Sequence, residues 1–60
     1  MLTDKQRKEL SNVLEGRKYT RSWNFWARLS RADVVRIQGI DRVEGITITD
    51  WGKTLIRHGE

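Results

Sequence analysis

The sequence predicts an α+β domain of order α-α-β-β-α, with the two strands forming an antiparallel hairpin. Three observations carry that prediction. Apolar residues recur at helical spacing through residues 3–31. Two short β-branched runs, Val34-Val35-Arg36-Ile37 and Ile46-Thr47-Ile48, flank a turn-rich connection. A Thr-Asp pair, Thr49-Asp50, then opens a final helical pattern.

The first helix is expected over residues 3–15. Thr3 can cap it, Gln6 stands at capping-box spacing, and Asp4 suits the positive end of the helix dipole. Leu10, Val13 and Leu14 supply its apolar stripe, and Gly16 follows where a left-handed cap is needed. Residues 17–20 form a short basic connection. A second helix begins at Thr20 or Ser22 and runs to Arg31. Ser22, Phe25, Trp26 and Leu29 share one face, with Trp23 between that face and a polar one. Three aromatics within four residues place this helix at the centre of the domain. The first strand covers Val34, Val35 and Ile37 and ends near Gly39. The second covers residues 45–49 with Ile46 and Ile48 inward. Thr49 caps the last helix over residues 50–58, on which Trp51 and Leu55 are neighbours.

Size and composition narrow the function classes. Sixty residues with 37% hydrophobic and 33% charged side chains make one small domain, residues 1–60. No apolar stretch approaches the ~18 residues of a membrane span, and no secretory leader is recognisable, so a cytoplasmic protein with no membrane partner is expected. With no cysteine, disulfides and thiolate metal sites are excluded. His58 is the only histidine, the carboxylates are scattered, and no glycine-rich phosphate loop is present. No enzymatic activity, no metal and no cofactor are expected.

Charge is distributed unevenly. The net charge is +4, but residues 1–15 are balanced and residues 40–60 slightly acidic. Residues 16–39 carry Arg17, Lys18, Arg21, Arg28, Arg31 and Arg36 against Asp33 alone. A concentrated positive field suits a polyanion. At helical periodicity Arg21, Asn24, Arg28 and Arg31 fall within an arc of roughly 80°. Arginine can bridge guanine O6 and N7 or grip a phosphate, and asparagine can do the equivalent at adenine. Arg17, Lys18 and Arg36 flank that stripe at positions suited to phosphate contacts, and Arg42 lies at the hairpin tip beside Asp41 and Glu44. The same stripe also fits an ordinary amphipathic helix with a solvated arginine face.

Two stretches resemble the second half of a winged helix-turn-helix domain. Leu29-Ser30-Arg31-Ala32-Asp33-Val34-Val35 is similar to the end of a recognition helix running into the first wing strand. Ile48-Thr49-Asp50-Trp51-Gly52-Lys53-Thr54-Leu55-Ile56 is similar to the second wing strand and final helix. Leu2-Thr3-Asp4-x-Gln6-Arg7 also resembles the first helix of small phage and bacterial members. The match covers about half the chain and departs from the pattern twice. Ala32-Asp33 stands where glycine is usual. Only one helix fits between Gly16 and Val34, so residues 17–22 either hold a rudimentary turn or the positioning helix is missing.

The resemblance implies a small winged-helix-like DNA-binding protein, a transcriptional or mobile-element regulator that inserts the helix near 21–31 into the major groove. Double-stranded DNA is its partner on this reading. A protein so small covers little DNA, so specific binding is expected to need a homodimer or tandem copies. The alternative is a protein-interaction module on the same scaffold, an inhibitor or adaptor contacting a host protein through Trp23 and Tyr19. RNA or an acidic protein would also fit the arginine face.

Overall fold

Three hydroxyl side chains set where the helices begin. The computed structural model describes residues 2–58, and within them helix α1 spans Asp4–Leu14, α2 spans Trp23–Arg31 and α3 spans Asp50–Arg57. Thr3 Oγ1 accepts from the Gln6 amide at 3.1 Å while Gln6 Oε1 accepts from the Thr3 amide at 2.9 Å, completing the expected capping box. Ser22 Oγ caps α2 through the Phe25 amide, and Thr49 Oγ1 caps α3 through the Gly52 amide. Each hydroxyl satisfies an amide that the first helical turn leaves without a partner.

The first two helices end by one device. At α1 the Arg17 amide donates to the Asn12 carbonyl at 2.8 Å and the Gly16 amide to Val13 at 3.3 Å, with Gly16 at φ 73°. At α2 the Val34 amide donates to Leu29 at 2.9 Å and the Asp33 amide to Ser30 at 3.0 Å, with Asp33 at φ 62°. Both are Schellman motifs, which need one residue in the left-handed region. Glycine meets that need freely, and aspartate is among the few other residues that tolerate it. Asp33 therefore makes the turn into the first strand without a glycine.

Between the two helices, residues 17–22 form an extended strap with no helical turn. Three side chains tie it down. Glu9 Oε1 accepts from the Thr20 amide at 3.0 Å, the Trp26 indole N–H donates to the Thr20 carbonyl at 2.6 Å, and Arg21 donates to the Val43 carbonyl at 3.2 Å. Both backbone polar groups of Thr20 are thus paired by side chains instead of by a helix.

Strands β1 (Val35–Gln38) and β2 (Gly45–Ile48) pair antiparallel with Val35 opposite Ile48 and Gln38 opposite Gly45. The architecture is α+β in the order α-α-β-β-α. Leu2, Leu10, Trp26, Leu29, Val34, Val35, Val43 and Ile48 form the buried core, and Leu55 packs against it half-buried. Val43 joins this cluster from the hairpin connection, where alternation along a strand gives no warning of it. Val34 lies one residue ahead of β1, and its carbonyl accepts from the Thr49 amide at 3.0 Å. The Thr49 hydroxyl donates to the Asp33 carbonyl at 2.6 Å. Gly52 then brings α3 against this junction. A Cβ there would collide with the Val34 carbonyl oxygen and stand 2.9 Å from Ile48 Cγ2.

Gly52→Ala should therefore lower unfolding stability by about 1–3 kcal/mol, as overpacking against fixed backbone does. Urea unfolding should show a lower midpoint with an unchanged slope. An unchanged midpoint would mean that α3 can shift outward at no cost.

Candidate nucleic-acid interface

Helix α2 sorts its side chains by face. Trp26 and Leu29 are buried at 0% and 3% exposure, and Phe25 is half-buried beside them. Trp26 meets the Phe25 ring edge-on at 4.9 Å between centroids and the Tyr19 ring edge-on at 5.7 Å. With those rings inward, the 100° turn per residue carries Asn24, Arg28 and Arg31 outward, and all three are exposed. The helix has no acidic residue, and Arg28 and Arg31 lie in its last turn, where they also complement the negative end of the dipole.

The expected stripe of four residues is a stripe of three. Arg21 precedes the N-cap Ser22, so helical periodicity does not place it. Its guanidinium sits 4.8 Å from the Tyr19 ring centroid and donates to the Val43 carbonyl. Arg21 therefore fastens the strap to the hairpin connection, although it stays exposed. The flanking cations also differ from one another. Arg17 pairs with Glu15 at 3.1 Å and Arg42 with Glu44 at 3.8 Å, both as solvated pairs of small energetic consequence. Arg36 borders a cleft of about 400 Å³ together with Asp33, Asp50, Thr47 and Trp51, so its surroundings carry both signs of charge. Lys18 is exposed and makes no ion pair among the described residues.

Of the aromatic anchors, Tyr19 is half-buried between Trp26 and Arg21, leaving little of its ring for a partner. Trp23 keeps 40% of its surface exposed, and Trp51 keeps 52%. Ile40 is 94% exposed in the hairpin connection.

The fold brings one further cation to α2 that charge counting had set aside. Lys5, in the first turn of α1, places its ammonium 5.7 Å from the Phe25 ring centroid and lines a groove with Asn24 and Arg28. The first fifteen residues are neutral as a block. Only the approach of Lys5 to the Phe25 ring reveals that it borders the basic face.

Among the described residues no group of three or more histidine, aspartate or glutamate side chains converges on a point that could hold a metal ion. No helix among them is long and apolar enough to cross a membrane. No family model, curated protein or solved structure matches the chain.

Arg21→Ala should cost about 1 kcal/mol of stability, from a charge-assisted hydrogen bond and a surface cation–π contact, both partly solvated. Arg21→Lys should lose most of the same amount, because a lysine cannot stack on Tyr19 and reach Val43 together. Urea midpoints and the Tyr19 ring proton shifts would measure this. Midpoints equal to wild type in both variants would show the contact to be energetically idle.

Proposed function

We propose that the protein binds double-stranded DNA by laying the outer face of α2 in the major groove, as a small winged-helix-like regulator of transcription or of a mobile element. One observation carries this reading. Asn24, Arg28 and Arg31 project from the face opposite fully buried Trp26, on a helix that bears no carboxylate. A groove-reading helix needs an apolar anchor behind it and bidentate donors in front.

Arg28 and Arg31 supply the donors that distinguish guanine or grip phosphate, and Asn24 supplies the amide suited to adenine. Lys18, on the strap, lies before the helix and serves the phosphate backbone, and Arg17 beside it contributes less because Glu15 already pairs with it. Arg36 and Arg42 contribute less on this reading, since acidic neighbours offset both. Nine residues make α2 about 13 Å long, enough for roughly four base pairs. A second copy on an adjoining half-site would supply the remaining specificity. Such a regulator would act in the cytoplasm.

A second reading follows from the exposure of Trp23: a host protein could take that ring as an anchor. The two readings differ in their response to salt. Phosphate contacts release counterions and weaken steeply as salt rises, whereas an aromatic anchor does not.

The double variant Arg28→Ala/Arg31→Ala should bind a duplex about a hundredfold more weakly than wild type at low salt, with its far-UV spectrum unchanged. Trp23→Ala should leave that affinity within about twofold if the ring lies outside the DNA contact. Fluorescence anisotropy on a labelled duplex reads both. Undiminished binding by the double variant would reject the α2 interface, and loss confined to Trp23→Ala would move the DNA contact from the arginine face to the aromatic edge of the helix.

A further inference from the structure

The groove beside α2 has the composition of an anion cradle. Thr3, Lys5 and Gln6 form one wall and Asn24, Phe25 and Arg28 the other, around a volume of about 260 Å³. Thr3 and Gln6 are occupied with each other in the capping box. The polar ends of Lys5, Asn24 and Arg28 make no hydrogen bond or ion pair among the described residues. No carboxylate lines the groove. Donors therefore exceed acceptors heavily: three from the ammonium, five from the guanidinium and two from the amide, against one amide oxygen.

Lys5 is also badly placed for its own helix. It stands in the first turn of α1, where the dipole disfavours a cation. Its contact with the Phe25 ring offsets part of that disadvantage.

We propose that this groove holds the sugar-phosphate backbone of the DNA that α2 reads. The phosphate lies between the Lys5 ammonium and the Arg28 guanidinium, with the Asn24 amide donating to it and the Phe25 ring supporting the sugar. The proposal rests on the DNA-binding reading and adds to it a second element, α1, and a residue, Lys5. It also changes the task of Arg28 and Asn24 from reading bases to fixing the backbone, leaving Arg31 as the α2 arginine that faces base edges. With no helix in the strap to hold the duplex in register, the clamp between α1 and α2 takes over that function.

The test uses the full chain and anisotropy on several duplexes of unrelated sequence across a salt series. Lys5→Ala should weaken binding several-fold on every duplex and reduce the magnitude of the log K against log salt slope by about 0.9, the signature of one lost phosphate contact. Arg28→Ala should do the same, and the double variant should lose less than the product of the two single effects. Lys5→Arg should retain the slope. The urea midpoint of Lys5→Ala should equal or exceed that of wild type, so weaker binding cannot be ascribed to unfolding.

The outcomes separate cleanly. Lys5→Ala with wild-type affinity and slope, while Arg31→Ala loses binding, would overturn the clamp and leave the α2 reading standing. Failure of wild type to bind any duplex at low salt would remove the DNA reading and the clamp with it. Phe25 ring signals that move only with an acidic peptide, and not with duplex, would assign the groove to carboxylates and overturn the proposal.

Discussion

Burial of the Trp26 indole governs the orientation of everything on α2. A tryptophan removes roughly 150–250 Å² from water, worth about 4–6 kcal/mol as an upper bound. That is comparable with the entire net stability of many small domains. The ring is fully enclosed, met edge-on by Phe25 and Tyr19, and its N–H reaches the Thr20 carbonyl. An indole can be buried this completely only if that N–H finds an acceptor. The strap must therefore pass close over α2, and Glu9 and Arg21 hold it there. Rotating α2 by a single residue would expose the indole and turn Arg28 or Arg31 toward the core. The outward basic face is thus a consequence of where tryptophan must go.

The hairpin and α3 are locked to α2 at one junction. The Asp33 and Val34 carbonyls receive the Thr49 hydroxyl and amide, so one threonine both caps α3 and closes the base of the hairpin. Gly52 allows α3 to approach this point, and the left-handed Asp33 allows the chain to leave α2 toward it. At the far end of the hairpin, Arg21 reaches Val43. The hairpin is consequently held at its base by α3 and near its tip by the strap. Its geometry relative to α2 is thus set at the base by the Thr49 hydroxyl and amide and near the tip by the Arg21 side chain.

Much of this was legible because it is local. The caps Thr3, Ser22 and Thr49, the helical stripe ending at Leu29, and the β-branched runs each depend on residues within a turn or a strand of one another. Asp33 illustrates the boundary. The sequence shows that no glycine is present, but only the pair of hydrogen bonds to Leu29 and Ser30 shows that aspartate takes the left-handed turn. Arg21 and Lys5 mark what periodicity cannot reach. Arg21 acts on a carbonyl twenty-two positions away, and its projection onto a helical wheel presumed a helix that starts later. Lys5 meets Phe25 from a different helix. Val43 entered the core from an irregular connection, where no repeat predicts which way a side chain faces.

The strap gives the proposed interface its particular demand. In a helix-turn-helix pair, the first helix crosses the DNA backbone and the second reads the groove, so orientation and recognition come from separate elements. Here residues 17–22 form no helix, and their hydrogen bonds are spent inward on Glu9, Trp26 and Val43. Orientation must then be supplied by cations at the margins of α2. Lys18 stands on the strap side, and Lys5 stands across the groove at the start of α1. With Arg28 and Arg31 they make four cations without an ion pair among the described residues. The two phosphate contacts they would make, one at Lys18 and one shared by Lys5 and Arg28, would weaken binding about tenfold between 50 and 200 mM salt. On the proposed reading, a monomer so dependent on charge would hold DNA without much discrimination. On that reading, sequence preference would have to come from a second copy on an adjoining half-site.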